Sequence, residues 1–456
     1  MDRRAVAAAA VLTAVLAIVT SLPGSVPVAA EAAPGAPPNV ILILSDDQHP
    51  ATLERMPYLS SRDDWLRFDN AITNLALCCP ARATLLTGLN SHHHKIVSNE
   101  DAPKFDGRST LAVWLQAAGY ETAYFGKYLN GFPWSQPADY IPEGWDRWVA
   151  FAGKQGYESF NANIDGEVRA FPGDEVYSED FFADAAVDYI EGASGPYFAF
   201  VSAFAPHEPA TPPARHEYAE VAPYPPRPAL DEQNVNDKPF WVRELPRVDP
   251  AAMEAGLARQ ERALLGLDDA VRRIFAALEQ SGGLENTIVV YSTDNGLSWG
   301  EHRHVGKVCP YEECVNVPFL VRGPGIEPGS TDALIGNVDF APTIADYAGA
   351  EPQAPVDGRS LRPLLDGEKS RVRGGVLITR GAGGPRFRFL GVRTKNFKYV
   401  RYRFSREKEL YDLRADPHEL KSVDGKRAYE ETERKLRRQL RELRLERSSC
   451  GPECVR

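Results

Sequence analysis

Apolar and polar positions along this 456-residue chain fall into alternating strand-like and helix-like stretches. Asn39-Val-Ile-Leu-Ile-Leu-Ser45 is a continuous apolar run ending in Asp46-Asp47, the pattern of a strand buried on both faces. Three further apolar runs also end in polar groups. The run at 120–125 leads to Gly126-Lys127, that at 197–205 to Pro206-His207, and that at 287–293 to Asp294-Asn295. Helical periodicity occupies 110–118, 180–191 and 253–281, the last with Leu264, Leu267, Val271, Ile274, Phe275 and Leu278 on one face. This alternation predicts an α/β fold, a large mostly parallel sheet covered by helices on both faces. Such sheets bind ligands outside the carboxyl ends of their strands. One polar strand exit is ordinary, but four together predict a shared rim.

Residues 208–250 are rich in proline and weakly periodic, which predicts a long surface loop over that rim. Beyond about residue 370 the pattern changes. Short strand candidates at 375–379, 387–393 and 396–404 precede a charged helix at 425–447 with Leu436, Leu440 and Leu443 on one face. A smaller C-terminal antiparallel sheet with a terminal helix is expected. The organisation is then 1–30 leader, 31–38 tether, 39–369 catalytic domain and 370–456 C-terminal subdomain.

Composition narrows the address. Hydrophobic residues make up 43% and charged residues 25%, as in globular proteins. A net charge of −11 argues against a nucleic-acid partner, though an anionic substrate stays open because local field outweighs net charge. Arg3 and Arg4, the apolar run from Ala5 to Thr20 and the small residues Val28-Ala29-Ala30 read as a secretory signal, with an N-terminal membrane anchor as the alternative. Nothing later is apolar enough to span a bilayer, so a secreted or extracytoplasmic protein without stable membrane insertion is expected. The six cysteines form three close pairs. Cys309/Cys314 and Cys450/Cys454 are candidate short-loop disulfides, since no further ligand completes a metal set. Cys78 and Cys79, being adjacent, need another explanation.

Pro80 and Gly88 bracket a short helix and place Cys78 just before its N-terminus, where free N–H groups favour an anion. Arg82 on the first turn carries a fork suited to paired sulfuryl or carboxylate oxygens. A buried structural cysteine beside a loop-capping arginine is the plainer reading. Asp46, Asp47, Asp294 and Asn295 offer hard oxygen ligands from two strand ends, suited to Ca²⁺ or Mg²⁺ rather than zinc. Each acidic pair taken alone would equally serve as a cap or turn.

Cys78-Cys79-Pro80-Ala81-Arg82, with Thr87-Gly88 after it, resembles the modification motif of the type I, formylglycine-dependent sulfatases of the alkaline-phosphatase-like superfamily. Gly126-Lys127-Tyr128-Leu129-Asn130, Ala205-Pro206-His207, Asp294-Asn295-Gly296, Gly300-Glu301-His302-Arg303, Gly306-Lys307 and Val317 to Gly325 follow in the family's order, as does Leu410-Tyr411-Asp412-Leu413. The Gly-Lys-Tyr-Leu-Asn variant, the Cys-Cys-Pro start and His92-x-His94 resemble the N-acetylglucosamine-6-sulfatase branch. The resemblance implies that a maturation enzyme oxidises Cys78 to Cα-formylglycine, whose hydrate is the nucleophile. It implies a cation held by Asp46, Asp47, Asp294, Asn295 and residue 78. Arg82, Lys127, His207 and Lys307 are implied in catalysis, with His94, Asn130 and His302 as further substrate contacts. The implied substrate is a sulfated carbohydrate or aryl sulfate. Ala81, where the family commonly has serine, and Leu129, where many relatives have histidine, depart from the pattern. Two alternatives remain: a phosphomonoester, phosphodiester or phosphonate hydrolase on the same scaffold, and a secreted glycan-binding protein with a degenerate site.

Overall fold

The computed structural model describes residues 37–380 and 387–445. The expected leader, most of the tether and the Cys450/Cys454 pair lie outside these residues. The main sheet begins with β1 (Asn39–Ser45), β2 (Leu66–Ile72), β3 (Glu121–Gly126) and β4 (Arg147–Phe151). It continues with β5 (Phe160–Ile164), β6 (Glu167–Phe171), β7 (Tyr197–Ser202) and β8 (Thr287–Thr293). A two-stranded ribbon, β9 (Ser298–Trp299) with β10 (Val305–Gly306), precedes β11 (Phe319–Arg322) and β12 (Gly329–Gly336), which rejoin it. The strand order is β12-β2-β11-β8-β1-β7-β3-β4-β5-β6. The centre, from β8 through β1, β7 and β3 to β4, is parallel. Antiparallel joins flank it at β11 and at β5 and β6.

β1 explains why its sequence is apolar without interruption. Val40, Leu42 and Leu44 face one core, against the helices Leu111–Ala117 and Phe340–Ala348. Ile41 and Ile43 face the other, against the helices Ser178–Gly192 and Pro250–Gln280. With side chains alternating and both faces covered, no position between Asn39 and Ser45 is left for a polar residue.

The second sheet is antiparallel throughout: β13 (Val376–Arg380), β14 (Phe389–Arg393), β15 (Phe397–Tyr402) and β16 (Lys408–Asp412). Its Val376, Ile378, Val400 and Tyr402 pack with Ile72, Trp241 and Tyr311 of the main body. The opposite face, with Leu377, Val392, Tyr399 and Leu410, receives Leu436 and Leu440 of the helix Glu430–Leu445. That helix begins at Glu430 rather than at the expected 425 and runs to the last described residue, Leu445. The 208–250 segment holds a 3-10 turn at Ala214–His216 and a single helical turn at Phe240–Arg243. Among the described residues no helix is long and apolar enough to cross a membrane. Cys309 and Cys314 are disulfide-bonded, while Cys78 and Cys79 are free and buried.

Candidate active site

The rim is built by register. Leu44 lies beside Ser202, Ser45 beside Thr293 and Gly126 beside Ser202, so four neighbouring parallel strands end at one level. Asp46 and Asp47 leave β1, Asp294 and Asn295 leave β8, Lys127 leaves β3, and His207 follows β7. Gly126 has φ +107°, and a Cβ there would stand 2.0 Å from the Ser202 carbonyl oxygen. Only glycine lets β3 turn this close to β7 and direct Lys127 inward.

Into this rim runs the helix Cys78–Thr87, with Leu77 as N-cap and Gly88 ending it at φ +64°. Cys78 is the first helical residue rather than the one before it, so Pro80 is third and Arg82 lies beyond the first turn. All ten helical residues are buried. Arg82 is the hub. Its Nε donates to Asp294 Oδ2 at 2.9 Å, one terminal nitrogen to Asp46 Oδ2 at 3.0 Å, and the other to the Lys127 carbonyl and Ser202 Oγ at 2.6 Å each. Burial alone would weaken its charge, but Asp294 and Asp46 raise the guanidinium well above its usual range. Burial would likewise raise Asp46, yet Lys127, His207, Arg82 and Lys307 together hold it below the ordinary carboxylate range.

The opposite half gathers around Asp47. Lys307 Nζ lies 2.7 and 2.6 Å from its two carboxylate oxygens and 2.9 Å from Cys78 Sγ. Asn295 Nδ2 donates to Asp47 Oδ1 at 2.7 Å, and His207 Nε2 is 3.6 Å from Oδ2. Cys78 Sγ is 3.5 Å from Asp46 Oδ1. Burial, reinforced by Asp46, pushes the thiol well above its usual value, so an unmodified Cys78 is held neutral. Ligand atoms of Asp46, Asp47, Cys78 and His207 all lie within 4.8 Å of one another. Asn295 Oδ1 is buried with no hydrogen-bond partner. A hard oxygen orphaned among carboxylates fits a divalent, oxygen-preferring cation.

Residues 38–350 match the protein-family model Sulfatase. The chain belongs to the sulfatase family. Residues 300–446 match a second model, N-sulphoglucosamine sulphohydrolase, C-terminal. The extracellular sulfatase SULF-1 homolog of Drosophila melanogaster is 33% identical over 360 residues, covering 74% of this chain and 32% of the relative. The N-acetylglucosamine-6-sulfatase of Homo sapiens is 32% identical over 370 residues, covering 75% and 67%. The chain thus spans about a third of the first relative's length and about two thirds of the second's. A protein solved in complex with its substrate D-glucosamine-2-N,6-O-disulfate shares the fold with a TM-score of 0.76 and 26% identity, covering 89% of this chain and 97% of that one.

Three residues that the sulfatase resemblance implied as substrate contacts are engaged elsewhere in the chain. His94 bonds Thr84 Oγ1 at 3.0 Å through Nε2 and accepts from the Ile96 amide through Nδ1, and burial lowers it to about 3. His302 is fully buried, bonded to Glu232 at 2.7 Å and packed on Tyr311, also lowered to about 3 by burial. Asn130 pairs with the Cys79 thiol, at 3.1 Å through its amide and 3.2 Å through Oδ1. That pairing also accounts for the second cysteine of this sulfatase motif. Three supporting residues escaped the sequence reading. Ser202 bridges Arg82 and the Lys127 carbonyl. Gln260 donates to the Asp47 carbonyl at 2.9 Å. Glu179 accepts from the Phe204 and Ala205 amides at 2.9 and 3.1 Å, below the turn that carries His207. The available signal was a polar side chain inside an apolar stripe, which Ser202 and Gln260 both are.

Proposed function

We propose that this sulfatase-family chain is a sulfuric ester hydrolase that removes sulfate from a sulfated sugar of the N-acetylglucosamine-6-sulfate kind. Residues 39–369 form the catalytic domain and 370–456 a supporting subdomain. The observation that carries the reading is Cys78 Sγ at the head of a buried helix, 2.9 Å from Lys307 Nζ and 3.5 Å from Asp46. That sulfur stands where the oxygen of a formylglycine side chain would sit. Asp46, Asp47, Asp294 and Asn295 would hold Ca²⁺ or Mg²⁺. When bound, the cation supplies a Lewis acid, and the formylglycine hydrate supplies a nucleophilic hydroxyl with a second one for releasing sulfate.

The chain's own residues do the rest. Arg82, with all its nitrogens engaged, fixes Asp46 and Asp294 rather than gripping substrate. Lys127 pairs with Asp46 and adds positive charge beneath the reacting position. Lys307 sits where negative charge on the sulfate oxygens is neutralised. His207 donates Nδ1–H to the Glu208 carbonyl at 2.7 Å, which leaves Nε2 to carry a proton to the leaving oxygen. Export through residues 1–30 and maturation by a formylglycine-generating enzyme belong to the same reading.

Turnover of an aryl sulfate against the matching aryl phosphate tests it, in protein produced with a maturation enzyme. Sulfate kcat/KM should exceed phosphate by about a hundredfold or more. A phosphate preference would instead assign the scaffold to phosphoester or phosphonate hydrolysis.

A further inference from the structure

Between the small sheet and the C-terminal helix lies a cleft of about 760 Å³, within the roughly 300–1,000 Å³ typical of ligand pockets. Its charge is one-sided. Arg401 and Arg403 alternate along β15 and its exit, and Arg406 follows in the turn. Arg437 and Arg444, seven residues apart, share one face of the helix Glu430–Leu445. Arg388 precedes β14 and Arg380 ends β13. None of these arginines makes an ion pair among the described residues. Lys408 alone, of the basic residues lining the cleft, has carboxylate partners, Asp424 and Glu433. A chain with 63 acidic and 52 basic residues has carboxylates in excess, yet among the described residues none pairs with these guanidiniums. Burial pulls Arg380 below its usual value, opposed only by Tyr402. Clustered, uncompensated guanidiniums repel one another, and bound anions offset that repulsion.

The cleft also borders the candidate active site. Arg380 donates to the Val308 carbonyl at 3.3 Å, and Val308 follows Lys307, whose Nζ touches Cys78 Sγ. His92, a few residues beyond the Cys78–Thr87 helix, lines the same cleft. A chain with one sulfate at residue 78 can therefore continue past Lys307 onto the arginines. Nucleic acid fits less well, because the rings that line the cleft, Phe389, Tyr399 and Tyr402, are buried and offer no face for base stacking.

We infer that this arginine cleft binds further sulfate or carboxylate groups of the same glycan, so that the substrate is a polysulfated oligosaccharide rather than a single sugar. This rests on the hydrolase reading for its substrate, but its binding test does not. The probe is a size-defined heparin octasaccharide, measured against the parent protein and a combined Arg401→Ala, Arg403→Ala, Arg406→Ala variant. These side chains are exposed and lie outside the catalytic machinery. Octasaccharide affinity should fall about tenfold and lose part of its salt dependence, with aryl sulfate kcat/KM unchanged. A single-stranded oligonucleotide of equal charge should bind the parent about tenfold more weakly than the octasaccharide does. Unchanged octasaccharide affinity in the variant, or equally tight oligonucleotide binding, would overturn the inference. A parent protein without aryl sulfate turnover whose octasaccharide binding still responds to the variant would remove the hydrolase reading and support the cleft.

Discussion

Arg82 shows how a single residue constrains the reading of the site. Its fork is consumed by Asp46, Asp294, Ser202 and the Lys127 carbonyl, so its task is to fix two carboxylates inside the protein and to favour their charged forms, against the burial that raises Asp294. Glu179 acts one layer further out. Burial raises it to about 7, against the two amide donors from Phe204 and Ala205 that favour its charged form. Its unfolded value is near 4.5, so the native state binds more protons between these pH values. The contribution to stability is complete below about pH 4.5, declines as pH rises, and levels off above about 7 at a cost of about 3 kcal/mol. Glu179→Gln keeps an acceptor oxygen and removes the charge. Its melting temperature relative to the parent should therefore climb between pH 5 and pH 8, whereas a difference independent of pH would refute the assignment.

At the scale of elements, the site depends on four strand ends lying level, and Gly126 is where that arrangement is tightest. Gly126→Ala would force a side chain against the Ser202 carbonyl at φ +107° and should cost about 3 kcal/mol in urea unfolding. A change within about 0.5 kcal/mol would mean that β3 and β7 approach each other less closely than described. These four ends were legible in the sequence because each strand is buried on both faces and each exit carries a turn-forming or charged residue. The strands β2, β12 and β16 were not. Leu66–Ile72 reads as mixed because part of it is exposed, Gly329–Gly336 is exposed along its first half, and Lys408–Asp412 hides its strand character behind charged residues, Glu409 being buried against Tyr311, Tyr402 and Tyr411. The histidines mark a different boundary of sequence reading. His94 and His302 sit in suggestive motifs, but their partners Thr84 and Glu232 are set by tertiary packing, which local spacing does not encode.

Over the whole molecule, the charge of −11 conceals two concentrations of positive charge. One is the set of Arg82, Lys127 and the partly exposed Lys307 facing Asp46, Asp47 and Asp294; the other is the arginine cleft of the small sheet. Average charge gave no hint of the cleft, because its arginines come from separate strands and from a helix, Glu430–Leu445, far along the chain from β13. The two regions are brought near each other by the docking of the antiparallel sheet on the main body, where Arg380 donates to the Val308 carbonyl. The central claim concerns residue 78, and it is tested most directly by mass analysis of the peptide spanning that residue, from protein secreted by cells that carry a maturation enzyme. An aldehyde in place of the thiol at Cys78, with Cys79 unchanged and aryl sulfate turnover rising in proportion to its occupancy, is the predicted result. A fully unmodified thiol in protein that turns over aryl sulfate at the full rate would contradict the account.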